Sequence, residues 1–560
     1  MATKLAEATG SPAYTTKVTA MKKRLDSQIP DSLRLPREIV DTAPLDVTGV
    51  PATTGLLTEK ELAITALDAT AVCEKIASGQ LTAVETVTAF GKRAIIAHQL
   101  VHCLTDIFLE EGIARAQELD EYYKREGKVI GPLHGLPISI KDHVPLKGRW
   151  ASAGFLATVE VSKDDCLMTS ILRELGAVFY VKTNQPQSIM HLETHSMYGR
   201  TLNPWNTSLT PGGSSGGEGA LIAMRGSCIG VGTDIGGSIR GPAANSGIYG
   251  MRPSSKTLPM KDYLAYQFGA DGVIASTGPM CSSARDIDLF ISKVLAAKPA
   301  QIDVSLVPLV WDIPQSFPKK LRVGIMEHDG VVLPHPPTLR ALAAAKAKLT
   351  ASGLVEVVDY KPFKHDLGYD IVRELYFEDG AKVVRDLLKE AGEDILPLTE
   401  WVISPPHTKD HDATSLRALR KQRDDYKDDY SDHWNESGCD VVLCPPFPGT
   451  ANPHDTAKYW AYTAIWNILD YPGIVFPSGL KLEPSLDVME ARSSFFSDAD
   501  KFNHELCMLL FPIPENRIEL ATDDAQKMVG APVSFQLVAR RFNDCVLVAA
   551  QKLIEGILTE

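Results

Sequence analysis

The sequence predicts an α/β fold, because segments with strand and helix patterns interleave along the chain. Alternating apolar residues over 136–140 predict a strand, and a helix near 170–175 followed by a strand over 177–182 is predicted as a further unit. The same order of strand, helix and strand is predicted farther along, over 321–326, 338–351 and 354–358. The 560 residues are 44% hydrophobic and 23% charged, which is ordinary for a large globular core.

The first 60 residues differ from the rest of the chain. An amphipathic segment over 16–29 is followed by proline-rich connections near Pro30, Pro36, Pro44 and Pro51. We expect residues 1–60 to form an N-terminal arm and residues 61–560 to form the main domain. The N-terminus lacks the apolar core of a signal peptide, and no run of about 18 uncharged apolar residues occurs, so no membrane span is expected.

Local signals place several further helices and a closing strand. Thr82 and Glu85 have the spacing of a capping box, which predicts a helix start at this point. A helix is also predicted over 115–123, and the chain is predicted to close with a strand and a helix, 533–538 and 544–557. The highly charged stretch 404–432 predicts a solvated helical insertion.

Charge and cysteine content exclude some classes of function. The 57 basic and 70 acidic residues give a net charge of −13, which disfavours nucleic-acid binding. Nine cysteines without a C-x-x-C pair indicate free thiols in a reducing compartment. A cytoplasmic enzyme is therefore expected, and no cofactor or metal is implied.

A glycine-rich block covers residues 212–223 and 230–243. It lacks the lysine of a phosphate-binding loop, and it fits the dinucleotide-binding fingerprint poorly. The G-x-S-x-G pattern of a nucleophile elbow does not surround Ser238 either. None of these three common glycine motifs explains the block.

Acyl transfer is a better chemical explanation for the end of this block. The turn Ile235-Gly-Gly-Ser238 can point several consecutive backbone amides at one place, as an oxyanion hole requires. Pro242 fits the first turn of a following helix, whose positive end would reinforce the hole. The glycines by themselves also fit a plain structural turn.

A serine nucleophile needs a base, and no histidine motif adjoins Ser238. Lys141 ends the apolar strand 136–140, where burial could keep its amine neutral at neutral pH. On its own, a strand-end lysine also fits an ordinary surface position. His134 and His143 flank this strand, but a Ser–His pair is disfavoured.

His191 and His195 lie four residues apart, as metal ligands on a helix can. The motif is not H-E-x-x-H, and no third ligand cluster is evident in the sequence. We therefore expect these histidines to line a pocket or the surface and to bind no metal.

The chain is identified by these motifs as a member of the amidase signature family. Residues 212–243 resemble the complete signature, including the 24-residue spacing of Ser214 and Ser238, and 135–142 and 530–540 resemble two further family segments. Three shorter segments are most similar to the fungal acetamidases: 119–123, 131–141 and 332–337. The resemblance implies one large α/β domain with a twisted mixed sheet surrounded by helices.

The resemblance also implies roles for individual residues. Ser238 would be the nucleophile, Lys141 the base, and Ser214 the bridge between them, with a cis peptide bond before Ser214. The backbone amides of the oxyanion hole would belong to Ile235, Gly236, Gly237 and Ser238. Supporting residues of the loop would be Thr233, Asp234, Ser215 and Arg240, and residues bordering the substrate would be Ile189, Met190 and His191.

The implied activity is hydrolysis of the C–N bond of small, acetamide-like carboxylic amides to the acid and ammonia or an amine through an acyl-enzyme. Carbamates, aryl amides and fatty-acid amides are alternative substrates for the same triad. A glutaminase subunit of an amidotransferase and a non-catalytic binding protein are less favoured. The implied partner is a small amide, with neither nucleic acid nor membrane, and homodimers are common in the family. Gly241 is smaller than the residue often found at its position, and its effect stays open.

Overall fold

The computed structural model describes residues 9–510 and 530–559. Its strands are β1 (Leu104–Ile107), β2 (Pro137–Lys141), β3 (Trp150–Ala151), β4 (Glu160–Val161), β5 (Val178–Thr183), β6 (His195–Ser196), β7 (Gly199–Arg200), β8 (Ile229–Asp234), β9 (Tyr249–Arg252), β10 (Ser276–Cys281), β11 (Arg322–Ile325), β12 (Glu356–Asp359), β13 (Val441–Cys444), β14 (Gly473–Lys481) and β15 (Pro532–Ala539).

Eleven of these strands form one mixed sheet in the order β1-β5-β2-β8-β10-β9-β14-β15-β13-β11-β12, and β3-β4 and β6-β7 form two small sheets. The surrounding helices are α1 (Pro12–Ser27), α2 (Arg37–Asp41), α3 (Val50–Thr53), α4 (Glu59–Thr65), α5 (Ala69–Ala77), α6 (Ala83–Val101), α7 (Leu109–Glu126), α8 (Leu167–Glu174), α9 (Gly216–Ala223), α10 (Arg240–Ser246), α11 (Ala284–Ala296), α12 (Pro336–Ser352), α13 (His365–Leu375), α14 (Lys382–Ala391), α15 (Pro397–Val402), α16 (Ala413–Ser437), α17 (Ala461–Leu469), α18 (Asp498–Leu510) and α19 (Asp544–Thr559). The predicted α/β class, a single large domain with a mixed sheet surrounded by helices, is confirmed.

Two central strands bring distant parts of the chain to one edge of the sheet. Strand β2 runs parallel to β8, with Ile140 opposite Val231. Because parallel strands end at the same edge, Lys141 and the last residues of β8 emerge side by side. The apolar residues of β2 and β8 are fully buried, so this edge lies inside the protein.

The N-terminal residues pack on the main core. The apolar side chains of Leu25, Ile29 and Leu33 belong to the large hydrophobic cluster around the sheet. Arg24 of α1 forms a 2.6 Å ion pair with Asp106 of β1. The first eight residues of the predicted arm lie outside the described part of the chain.

The helix start predicted at Thr82 is confirmed, because α6 begins at Ala83, whereas α7 begins at Leu109 and not at the predicted residue 115. Thr82 caps α6 through the predicted box, since its hydroxyl accepts from the Glu85 amide while the Glu85 carboxylate accepts from the Thr82 amide.

All nine cysteines are free, and seven of them are buried. Across residues 9–510 and 530–559, every helix is either too short or too polar to cross a membrane.

The prediction for 404–432 is only partly right. Helix α16 begins at Ala413, and residues 404–412 are not helical. The helix is not solvated on all sides, because Leu419, Tyr426, Tyr430 and Trp434 are buried in a second hydrophobic cluster. These four residues are spaced at helical intervals along one face of α16. The many charged residues between them made this apolar face difficult to recognise in the sequence.

Candidate active site

Four segments meet where β2 and β8 end. Lys141 closes β2, and Thr233 and Asp234 close β8. Ser214 and Ser215 come directly before α9, and the turn 235–238 comes before α10. The sheet therefore brings together the triad and loop residues that the resemblance implied.

Lys141 is completely buried and contacts two hydroxyl groups. Its Nζ lies 2.7 Å from Ser214 Oγ and 3.0 Å from Thr233 Oγ1. Desolvation by burial lowers the pKa of Lys141 from 10.5 to about 7, although the carboxyl groups of Asp234, Glu218 and Asp142 oppose this. A substantial fraction of this amine is therefore neutral and able to accept a proton at neutral pH.

A histidine that the sequence reasoning set aside fixes the orientation of Thr233. His143 Nδ1 lies 3.1 Å from the Leu264 carbonyl and therefore carries the proton, while Nε2 lies 3.0 Å from Thr233 Oγ1. Burial lowers the pKa of His143 to about 3, so the ring is neutral. Thr233 must then donate to His143 and accept from Lys141. A neutral Lys141 that donates to Thr233 keeps one N–H and its lone pair, and the lone pair is available to accept from the Ser214 hydroxyl.

The backbone segments that carry Ser214 and Ser238 lie side by side and are joined by a hydrogen bond. The peptide bond between Gly213 and Ser214 is cis, as the resemblance implies. The Ser215 amide donates to the Ser238 carbonyl over 3.1 Å. Within residues 9–510 and 530–559, no hydrogen bond joins the hydroxyls of Ser214 and Ser238. The hydrogen bond between Lys141 and Ser214 is present, and it does not continue to the Ser238 hydroxyl.

The turn before α10 contains four backbone amides, from Ile235 to Ser238, and one of them is already hydrogen-bonded within the protein. The Gly237 amide donates to Asp234 Oδ1 over 2.8 Å. The amides of Ile235, Gly236 and Ser238 make no hydrogen bond with a described residue. Gly237 has a φ of +130°, which a residue with a side chain rarely adopts.

Tyr376, directly after α13, and Thr463 of α17 hold the carbonyl groups of the same turn. The Tyr376 hydroxyl donates to the Ile235 carbonyl over 2.9 Å, and the Thr463 hydroxyl donates to the Gly236 carbonyl over 2.6 Å. With these carbonyls turned to one side, the amides of the turn are oriented by the protein before any ligand binds. No sequence signal pointed to Tyr376 or Thr463.

Asp234 and Arg240 form a fully buried ion pair beneath the turn. Arg240 Nε and Nη2 lie 3.0 Å from Asp234 Oδ2 and Oδ1. Asn467 and Gln536 complete the network, at 2.8 Å from Asp234 and 2.9 Å from Arg240. The Arg240 charge holds the pKa of Asp234 well below its usual range, although burial opposes this. Ser215 lies beside the network, with Oγ 3.4 Å from the Thr233 carbonyl.

The predicted substrate residues lie on the segment that packs against Gly213. A Cβ atom at Gly213 would lie 2.6 Å from the His191 carbonyl. Met190 belongs to the same hydrophobic cluster as Tyr376 and Trp460, and Ile189 is partly exposed. His191 Nε2 lies 3.3 Å from Thr399 Oγ1, and burial lowers the pKa of His191 to about 3. Over the described ranges, no group of three or more His, Cys, Asp or Glu residues could hold a metal ion.

Comparisons with known proteins show the family of the chain. The family model described as Amidase matches residues 85–548. The chain is 43% identical to the Schizosaccharomyces pombe protein C550.07 over 95% of this chain and 97% of that protein. It is 37% identical to an acetamidase of Emericella nidulans over 93% of this chain and 94% of the relative.

A solved structure of a fatty acid amide hydrolase superposes with a TM-score of 0.91. It is 35% identical in sequence, and the match covers 100% of this chain and 98% of that one. Together, the family model, the sequence relatives and this structure show that the chain belongs to the amidase signature family and is a hydrolase acting on amides.

Proposed function

We propose that this amidase hydrolyses small primary carboxylic amides, with acetamide-like acyl groups first, to the acid and ammonia. The observation that carries the proposal is the buried pair of Lys141 and Ser214, 2.7 Å apart, with the pKa of Lys141 lowered to about 7. Such a pair can take a proton from a neighbouring hydroxyl at neutral pH.

In the proposed mechanism, Ser238 Oγ attacks the amide carbonyl carbon. Its proton passes to Ser214, whose own proton passes to neutral Lys141. The carbonyl oxygen becomes an oxyanion, which the amides of Ile235, Gly236 and Ser238 stabilise. The Gly237 amide acts indirectly, because its bond to Asp234 holds the turn.

Collapse of the tetrahedral intermediate breaks the carbon–nitrogen bond. The Lys141 ammonium returns a proton through Ser214 to the leaving nitrogen, which departs as ammonia and leaves the acyl group on Ser238. Water then attacks the acyl-enzyme with the same base, and the acid is released with the Ser238 hydroxyl restored. No cofactor takes part in this scheme.

The preference for small amides rests on the similarity to the acetamidases. Fatty-acid amides form the second candidate class, which the superposition on a fatty acid amide hydrolase favours. Carbamates and aryl amides would pass through the same tetrahedral intermediate. Each methylene group that fits a pocket contributes only about 1–3 kcal/mol, so chain length must be measured.

The test is ammonia release by the purified single chain across linear primary amides from acetamide to hexadecanamide. We expect kcat/KM to be highest for short members, and Ser238→Ala to release no ammonia. A steady rise toward long chains, with acetamide inert, would replace the proposal by the fatty-amide candidate. Ammonia release that required a partner subunit would instead support the glutaminase alternative.

A further inference from the structure

Arg373 of α13 is a buried arginine without an ordinary partner. Its residue surface is 8% exposed, and its Nε and Nη2 atoms make no hydrogen bond with any described residue. Its Cζ lies 4.9 Å from the centre of the Tyr369 ring and 5.1 Å from that of the Trp401 ring. The guanidinium group is therefore held between two aromatic side chains and forms no ion pair in the described structure.

Among residues 9–510 and 530–559, the other buried arginines have a carboxylate partner or, in the case of Arg93, donate to a carbonyl and a hydroxyl group. Arg240 donates to Asp234, and Arg252 donates to Asp470 over 2.6 Å. Burial lowers the pKa of Arg373, and the neighbouring carboxylate of Asp370 only partly opposes this. Because arginine stays charged in proteins, an unpaired buried guanidinium is costly, and contacts with aromatic rings recover only part of that cost.

A chain of contacts connects Arg373 to the proposed oxyanion turn. Tyr376, which holds the Ile235 carbonyl, follows three residues later, and its amide donates to the Arg373 carbonyl. The Trp401 ring packs 5.5 Å from the Trp460 ring, and Trp460 Nε1 would lie 3.4 Å from a Cβ atom at Gly236. An aromatic wall therefore runs from the turn to the guanidinium group.

We propose that Arg373 binds a carboxylate carried by the acyl group of the substrate, so that the preferred substrates are monoamides of short dicarboxylic acids. The planar guanidinium group suits a carboxylate, which it can bind through two parallel hydrogen bonds. The rings of Trp401 and Trp460 supply the apolar surface that the connecting methylene groups need. The inference rests on the proposed function: because ammonia is the leaving group, a recognition group must belong to the acyl side.

The test compares matched substrates that differ only in the terminal carboxylate: glutaric acid monoamide against pentanamide, and adipic acid monoamide against hexanamide. We expect the wild-type enzyme to favour the carboxylated member by about 10-fold or more in kcat/KM, as a charge-assisted hydrogen bond predicts. In Arg373→Met, which keeps a long side chain between the rings, this ratio should fall to about one. Glutarate should inhibit pentanamide hydrolysis competitively in the wild type and more weakly in the variant.

Arg385→Met is the control, because Arg385 has the same charge on the next helix and is paired with the Ile403 carbonyl at 3.2 Å. It should keep the wild-type ratio. Equal rates for both members of a pair in the wild type, or an unchanged ratio in Arg373→Met, would overturn the inference while leaving the amidase proposal intact. A wild-type enzyme that releases ammonia from no amide of either series would instead count against the proposed function.

Discussion

The Nζ atom of Lys141 lies 2.7 Å from the Oγ atom of Ser214, and the two residues are 73 positions apart in the chain. Lys141 reaches this position because β2 ends beside β8, and Ser214 reaches it because its loop turns into α9 at the same edge. The low dielectric that weakens the ammonium form of Lys141 is thus a consequence of the sheet around it.

The first prediction concerns Ser238. If this residue is the nucleophile, a fluorophosphonate or sulfonyl fluoride probe should add once to the wild-type protein and not to Ser238→Ala. Intact-protein mass spectrometry measures the addition. Ser485→Ala, at an exposed serine, should be labelled like the wild type. Full labelling of Ser238→Ala would show that another residue is the nucleophile.

The second prediction is a pH dependence set by Lys141. Only the neutral amine accepts a proton, so kcat should rise with pH through about 7, the lowered pKa of Lys141, and then reach a plateau. Lys141→Ala should lose about 100-fold or more in kcat, in line with general-base contributions.

Lys182→Met is the matched control for the pH profile. Lys182 is also buried, but its Nζ donates to the carbonyls of Asp142 and Trp150 at 2.6 and 2.9 Å. This variant should be less stable, yet its remaining activity should keep the inflection near pH 7. Loss of the inflection there, or wild-type turnover in Lys141→Ala, would contradict the assignment of Lys141 as the base.

The third prediction tests the orientation of Thr233. Thr233→Val removes the acceptor for Lys141, so the lysine amine loses its fixed direction toward Ser214 and kcat should fall about 10-fold or more. Thr233→Ser keeps the hydroxyl and should recover most of the loss. Steady-state kinetics at the pH plateau measure both. Equal kcat for the valine and serine variants would show that the hydroxyl does not position the lysine.

The fourth prediction concerns the buried ion pair below the turn. Arg240→Met leaves the Asp234 carboxylate buried without its main partner, so it should lower the free energy of unfolding by about 3–5 kcal/mol. The double variant Asp234→Asn with Arg240→Met should be more stable than Arg240→Met alone, because no uncompensated charge remains. Urea unfolding measures both, and a double variant no more stable than Arg240→Met would refute this explanation.

The fifth prediction uses two glycines of the same block. A Cβ atom at Gly236 would collide with the Tyr376 hydroxyl, whereas one at Gly241 would lie 3.6 Å from its nearest neighbours. Gly236→Ala should therefore displace the turn and reduce kcat strongly, while Gly241→Ala should remain within about 1 kcal/mol of the wild type in stability. Parallel kinetics and thermal unfolding measure the contrast. Similar kcat losses in the two variants would contradict it.

The sequence by itself determined the features that depend on local pattern. A capping box needs only Thr82 and Glu85, and an apolar alternation ending at Lys141 identifies a strand with a lysine at its end. The glycine turn before Ser238 is also local, because its backbone angles need residues without a Cβ atom. The signature resemblance added the expectation that Ser214 bridges Lys141 and Ser238.

Tertiary structure alone decided which distant groups complete the site. His143 is 90 residues from Thr233, and Tyr376 is 141 residues from Ile235, so no periodicity in the chain relates them. The isolation of Arg373 also follows only from the packing of Tyr369 and Trp401 around it. Burial, hydrogen-bond direction and the resulting pKa of Lys141 are properties of the surroundings of a side chain, and those surroundings exist only once the sheet has assembled.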